Sequence, residues 1–166
     1  MVMVARSMIE RDPAYADLAA QLALNTIYKE ATGVKSITRD STDFVKEYRA
    51  AFVRNIKAGV AEKLYDERLL TFDLDKVAAA IEPSRDQLLK YIGVATLSDR
   101  YLVKSRAESR YLEVPQIFWM RIALGVALAE KDAREDWAIK FYNIISTLRF
   151  VPSTPTLFHA GLPRPQ

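Results

Sequence analysis

Residues Pro115 to Glu130 read PQIFWMRIALGVALAE, and this stretch contains the longest apolar run of the chain. Pro115 suits the first position of a helix, where its missing N–H would have no helical partner. The apolar run from Ile117 to Ala129 is interrupted by Arg121 and is too short to cross a bilayer. A helix that is apolar on nearly every side is either central in a core or covered by a partner.

The segments on both sides of this helix extend a mainly α-helical chain. Downstream, REDWAIKFYNIISTLRF (residues 134–150) predicts a helix with one apolar face. That face carries Trp137, Phe141, Ile144, Ile145 and Leu148. Upstream, RYLVKSRAESRYLEV (residues 100–114) has two short β-like runs around a polar turn, which predicts one small β-hairpin.

Two longer helices are predicted near the start of the chain. DPAYADLAAQLALNTIYKEATG (residues 12–33) has Asp12 as a candidate cap, Pro13 at the first helical position and Gly33 as a stop signal. The next helix is predicted from Ser41 or Thr42, and Gly59 is the expected break.

Two shorter helices are predicted between these and the apolar stretch. Residues 72–81 form the first, with Asp73 or Asp75 as its cap, and a helix over residues 84–97 begins at Ser84, after Pro83. The paired carboxylates of this chain occur at predicted helix starts, where capping accounts for them. Acid–base catalysis is the less favoured interpretation.

Composition narrows the function classes. The chain has 166 residues, no cysteine, one histidine and a formal net charge of +3. Disulfides, thiolate metal sites and thiol catalysis by its own residues are excluded, and a histidine-based metal site is disfavoured. The charge excess is small, so we expect no nucleic-acid partner. The N-terminus has no signal-peptide pattern, we expect no membrane association, and the composition fits the cytoplasm.

The C-terminal stretch FVPSTPTLFHAGLPRPQ (residues 150–166) is the candidate binding segment. Ser153, Thr154 and Thr156 place hydroxyls on a turn, and Pro155 is expected to hold Thr154 extended. Such a turn can bind phosphate oxygens, although turn formation alone also selects Ser, Thr and Pro. Taken alone, His159 would be an exposed loop histidine.

Three segments resemble the N-terminal part of the large, catalytic subunit of class I ribonucleotide reductase. They are ARSMIERDPAYADLAAQLAL, RYLVKSRAESRYLEVPQIFWMRIALGVAL and FYNIISTLRFVPSTPTLFHAG, in the family's order and across nearly the whole chain. RYLEVPQIFWMRIA together with FVPSTPTLF is the specific combination. Where many relatives have Asn in the last segment, this chain has His159.

The resemblance implies a fold and a substrate-binding segment. It implies a helical N-terminal domain, residues 1–150, followed at residues 151–166 by the incomplete start of a ten-stranded α/β barrel. Within the second part, Thr154 is the best residue to carry over as a contact to the substrate phosphates. Ser153 is a weaker one, and no catalytic, cofactor-binding or metal-binding residue carries over to this chain.

The resemblance also implies an activity and partners. The family reduces ribonucleotides to deoxyribonucleotides by radical chemistry, with a metal-dependent radical generated in a separate small subunit and with thiol reductants. We expect this chain to be one piece of a split or truncated subunit, with a C-terminal fragment supplying the barrel and its cysteines. Alone, it should be inactive. The alternative is a free-standing helical interaction or regulatory protein without a catalytic role.

Overall fold

The computed structural model describes residues 1–34 and 41–163. These residues form eight α-helices and two 3₁₀ turns, and they contain no β-strand. The helices are α1 (Val2–Ser7), α2 (Tyr15–Thr32), α3 (Thr42–Ala61), α4 (Leu74–Ala79), α5 (Tyr91–Arg100), α6 (Pro115–Ala127), α7 (Arg134–Ile145) and α8 (Thr154–His159). The 3₁₀ turns are Glu67–Thr71 and Pro83–Leu88. The prediction of a mainly α-helical fold is confirmed.

Helix α6 is the centre of the core. Every residue from Pro115 to Leu124 is buried, including the polar Gln116 and Arg121. It packs against α7 and against the 3₁₀ turn Pro83–Leu88. Of the two alternatives for an all-round apolar helix, the structure shows the central one. This burial removes apolar surface from water, which stabilises the fold by roughly 25 cal/mol per Å² of apolar area.

Several helix ends lie where the sequence predicts them. The Ser41 hydroxyl accepts a hydrogen bond from Phe44 N (3.2 Å), and the Asp73 carboxylate accepts one from Lys76 N (2.9 Å). Gly33 ends α2 in the left-handed conformation, with φ = 78°. Asp12 accepts from Ala14 N instead of capping α2 directly, because a tight turn at residues 12–14 precedes the helix.

The predicted break at Gly59 is wrong. Helix α3 continues to Ala61, and Gly59 is buried within it. A Cβ atom at this position would overlap the ring of Tyr65, which packs directly on the helix backbone. The glycine therefore permits a close approach and does not end the helix.

The predicted helix over residues 84–97 is also wrong in its start. Ser84 lies inside the 3₁₀ turn Pro83–Leu88, and α5 begins only at Tyr91. The interruption follows from Asp86, whose carboxylate is drawn into the core. It accepts hydrogen bonds from the hydroxyls of Tyr28 (2.8 Å) and Tyr48 (2.9 Å) and from Gln116 Nε2 (2.9 Å).

The region of the predicted hairpin is a loop with a single antiparallel bridge between Lys104 and Tyr111. Two further backbone hydrogen bonds close it, from Ser105 N to Arg110 O and from Leu112 N to Val103 O. Glu62, near the end of α3, holds the loop tip through the Ser105 hydroxyl and Arg106 N. The loop is thus fixed to α3 by a carboxylate.

Helix α7 buries only part of its apolar face. Ala138, Tyr142 and Ile145 are buried, whereas Trp137, Ile144 and the following Leu148 are substantially exposed. Among the described residues, no helix combines the length and the apolar character needed to cross a membrane.

The buried tyrosines make stability sensitive to alkaline pH. Burial, the largest cause, raises the pKa of Tyr142 from the usual 10.0 to about 12 and raises the pKa of Tyr48 well above its usual value. The buried, neutral tyrosines make their full contribution to the free energy of unfolding up to about pH 10. Above it the unfolded state ionises first, so each such tyrosine lowers the free energy of unfolding by about 1.4 kcal/mol per pH unit until its folded-state pKa is reached.

Tyr142→Phe should therefore flatten the alkaline fall in stability. We expect urea unfolding between pH 10 and pH 12 to give a slope smaller by about 1.4 kcal/mol per pH unit than that of the parent chain. At neutral pH the variant should be less stable by about 1 kcal/mol, because Gln116 loses its hydrogen bond from Tyr142. Equal slopes for parent and variant would contradict this account.

Candidate functional site in the C-terminal segment

The candidate hydroxyls lie where the chain enters α8. Ser153 is extended (φ −63°, ψ 156°), and Thr154 is the first helical residue. The interpretation that Pro155 holds Thr154 extended is wrong: the extended conformation falls on Ser153, because Pro155 takes the second helical position, where a missing N–H costs nothing. Ser153 and Thr154 are both exposed, and the Ser153 hydroxyl does not cap the helix.

The structure does not bring all the predicted residues into one pocket. Thr156 and His159 line a cavity of about 380 Å³ between α8 and Arg68, whereas Ser153 and Thr154 do not line it. Arg68 is paired with Asp66 at 2.6 Å on the rim of this cavity. Ser153 and Thr154 therefore present their hydroxyls to the outside.

The far end of α8 is held by Arg121 of α6. The Arg121 Nη1 atom donates to Ala160 O (2.7 Å) and, at 3.4 Å, to Leu157 O. These carbonyls lie at the C-terminal end of α8, where the last carbonyl groups have no N–H partner within the helix. The Leu157 side chain is buried in the core beneath the helix.

A fully buried ion pair fixes the guanidinium itself. Arg121 Nε donates to Glu113 Oε1 at 2.7 Å, and neither side chain is accessible to solvent. The second oxygen of Glu113 accepts from Val103 N at 2.9 Å. The Arg121 guanidinium also lies over the Phe118 ring, 5.0 Å from its centroid. The pair thereby joins the 101–114 loop, α6 and α8.

Two glycines bring α6 and the end of α8 into backbone contact. A Cβ atom on Gly125 would overlap the backbone nitrogen of Gly161. Gly161 has φ = 73°, and a Cβ atom there would lie 2.9 Å from Arg121 O. Its carbonyl also accepts from Asp66 N at 3.1 Å. Only glycine at both positions allows this approach.

No local pattern in the sequence indicates the Arg121 contacts or the glycine pair. One available signal was the charge in the middle of an apolar helix, since buried charges require buried partners. Within residues 1–34 and 41–163, no group of three or more His, Cys, Asp or Glu side chains could hold a metal ion.

Arg121→Met should destabilise the fold strongly because it leaves the Glu113 carboxylate buried without its partner. We expect a loss of about 3–5 kcal/mol in the free energy of unfolding, measured by urea titration. The double variant Arg121→Met/Glu113→Gln should recover much of this loss, since it removes both charges and keeps an acceptor for Val103 N. A double variant no more stable than the single one would argue against a charge-pair penalty.

The comparison with known proteins supports one family. Residues 87–165 match the family described as "Ribonucleotide reductase, all-alpha domain". The chain is 45% identical, over 97% of its length, to the ribonucleoside-diphosphate reductase subunit alpha of Chlamydia muridarum. It is 33% identical, over 98% of its length, to the ribonucleoside-diphosphate reductase large chain of Schizosaccharomyces pombe.

A third relative, the subunit alpha of Helicobacter pylori, is 32% identical over 89% of the chain. The chain spans only 15%, 19% and 17% of the lengths of these three relatives. The chain thus belongs to the family of ribonucleotide reductase large subunits and corresponds to the N-terminal part of such a subunit.

Proposed function

We propose that this chain is the N-terminal helical part of a ribonucleoside-diphosphate reductase catalytic subunit, which reduces ribonucleoside diphosphates to deoxyribonucleotides for DNA synthesis. The observation that carries this proposal is 45% identity over 97% of the chain to a protein named for that activity. The cytoplasm is the proposed location. No observation favours the alternative of a free-standing interaction protein.

In this proposal the chain binds and positions, and other polypeptide segments carry the chemistry. The 166 residues contain no cysteine, so thiol radical chemistry requires cysteines from the rest of the subunit. We propose that this remainder forms the barrel and that residues 151–166 begin it. A separate small subunit would supply the metal-dependent radical, and thiol reductants would restore the cysteines.

An exposed apolar surface beside Ser153 supports a docking role for this segment. Phe150 and Val151 are at least half exposed, and Leu148 and Phe158 are exposed by more than a third. Covering such side chains contributes roughly 25 cal/mol per Å² of apolar area. We propose that the remainder of the catalytic subunit covers them.

Ser153 and Thr154 are the proposed contacts to the substrate phosphates. Their hydroxyls are exposed, and neither hydroxyl has a hydrogen-bond partner among the described residues. A hydroxyl on an ordered backbone can donate to a phosphate oxygen without first giving up a bond inside the protein. The resemblance favours Thr154 over Ser153 for this contact.

The activity itself is tested with a full-length large subunit that contains this sequence, assembled with its small subunit. We expect it to convert ribonucleoside diphosphates to deoxyribonucleoside diphosphates, and we expect the present chain alone to form none because it has no cysteine. Product is measured by chromatography of the nucleotides. Turnover by the purified chain alone, or a correctly assembled enzyme without turnover, would contradict the proposal.

Thr154→Ala in that assembled enzyme should weaken substrate binding. A hydrogen bond to a charged group contributes about 1.5–3 kcal/mol, so we expect the Kd for a ribonucleoside diphosphate to rise about tenfold or more. Thr154→Ser is the matched control, because it keeps the hydroxyl and loses only a methyl group. His159→Asn should also have a mild effect. If Thr154→Ala binds substrate as tightly as the parent, Thr154 is only a turn residue.

A further inference from the structure

We propose that Arg121, together with the Gly125–Gly161 contact, is a positioning device that sets where Ser153 and Thr154 meet the substrate phosphates. This inference rests on the function proposed above and adds residues to it that lie in the core and not at the binding surface. Arg121 is fully buried and acts through α8, whose other end carries Thr154.

The C-terminal end of α8 is fixed to atoms of the core. Arg121 contacts Ala160 O and Leu157 O, and the guanidinium is held in turn by Glu113. A guanidinium is planar and permanently charged, so its Nη1 donors point in set directions once Nε is bonded to a carboxylate. The carbonyls at the end of α8 therefore have one favourable position. The Nη2 atom is buried and has no hydrogen-bond partner among the described residues.

The contact between Gly125 and Gly161 fixes the same end of α8 sterically. Gly125 and Gly161 touch through backbone atoms, and neither position has room for a Cβ atom. Gly161 also needs its left-handed conformation to turn the chain after α8. Two independent contacts, one electrostatic and one steric, thus hold a single point.

Helix α8 connects this fixed end to the hydroxyls of Ser153 and Thr154. Six residues of α-helix are about 9 Å long and behave as one rigid unit. Residues 148–151 before the helix are largely exposed, and no described partner holds the side chains of Ser153 and Thr154. The buried Leu157 side chain and the contact between the Tyr101 and Phe158 rings (4.7 Å between centroids) also hold α8, and both lie nearer its C-terminal end than Thr154. We therefore expect a shift at that end to move Thr154.

A role confined to stability does not account for a buried ion pair at this place. Apolar side chains of similar volume commonly stabilise a core as well as or better than a buried pair does. The pair instead fixes where two segments lie relative to α6, because each charged group is hydrogen-bonded to a different segment. Those segments are the 101–114 loop through Val103 and the end of α8 through Ala160.

The chain offers a matched pair of variants to test this. Gly125→Ala places a methyl group against the backbone of Gly161 and displaces the end of α8. Gly93→Ala makes the same change in α5, where the nearest heavy atom to the new Cβ is Leu89 Cδ2 at 3.4 Å. Both replace a helical glycine with alanine, so they differ mainly in what the methyl group meets.

The experiment measures steady-state kinetics of the assembled reductase carrying each variant. We expect Gly125→Ala to raise the KM for a ribonucleoside diphosphate about tenfold or more while kcat is largely retained, because phosphate contacts act alike in the ground and transition states. Gly93→Ala should leave both values unchanged. The double variant Arg121→Met/Glu113→Gln should also raise KM. It replaces Gly125→Ala in this test if that variant does not fold.

Hydrogen exchange of the present chain gives a readout that does not depend on activity. The amides of Leu157, Ala160 and Leu162 close the α8 turns, and their exchange should be faster in Gly125→Ala than in Gly93→Ala. Equal exchange in the two variants overturns the proposed attachment.

The kinetic outcomes separate the two proposals. An active parent enzyme in which Gly125→Ala and Gly93→Ala share one KM overturns the positioning inference alone. A correctly assembled parent without turnover overturns the proposed function and this inference with it.

Discussion

The Glu113–Arg121 ion pair is the interaction on which the arrangement of this domain depends. Both side chains are completely buried, so their hydrogen-bond partners must come from inside the protein. Within this pair, Arg121 Nη2 has no partner among the described residues. Glu113 accepts a hydrogen bond from Val103 N, and Arg121 donates to the carbonyls at the end of α8. A charge in the middle of the most apolar helix thus forces two irregular segments, distant in sequence, onto the same helix.

A second buried carboxylate organises the opposite part of the core in the same way. Asp86 collects hydrogen bonds from Tyr28, Tyr48 and Gln116, and so ties α2, α3 and the start of α6 together. Gln116 then accepts from Tyr142 of α7. Along α6, Gln116, Arg121 and Gly125 therefore bind different neighbours on successive turns. The apolar side chains of α6 provide hydrophobic stabilisation. Its few polar atoms specify one packing arrangement, because apolar surfaces alone could pack in many ways.

The sequence predicted what depends on local pattern and missed what depends on distant contacts. The apolar helix, the Ser41 and Asp73 caps and the Gly33 stop follow from periodicity and side-chain chemistry over a few residues. The predicted break at Gly59 is wrong because the Tyr65 ring packs on the helix backbone there. The predicted helix start at Ser84 is wrong because the hydrogen bonds around Asp86 hold the 3₁₀ turn. The candidate hydroxyls were visible as turn chemistry, whereas the residues that hold α8 were not. Arg121 and Ala160 are 39 positions apart, and no local pattern links them.

Exposed side chains near α8 explain why the contacts that hold it, those of Arg121 and Gly125, come from one side only. Leu157 faces the core, while Phe150 and Val151 remain open to solvent on the approach to Ser153. If its own domain covered the segment on all sides, close packing alone would determine its position. Contacts such as those of Arg121 and the glycine pair would then not be needed. If another part of the subunit covers this exposed side, as proposed above, packing from that side is available only after assembly. In the proposed arrangement, Arg121 and the glycine contact hold the C-terminal end of α8 from the core side. Ser153 and Thr154 would then be positioned through α8 while the surface beside them remains available for the rest of the subunit.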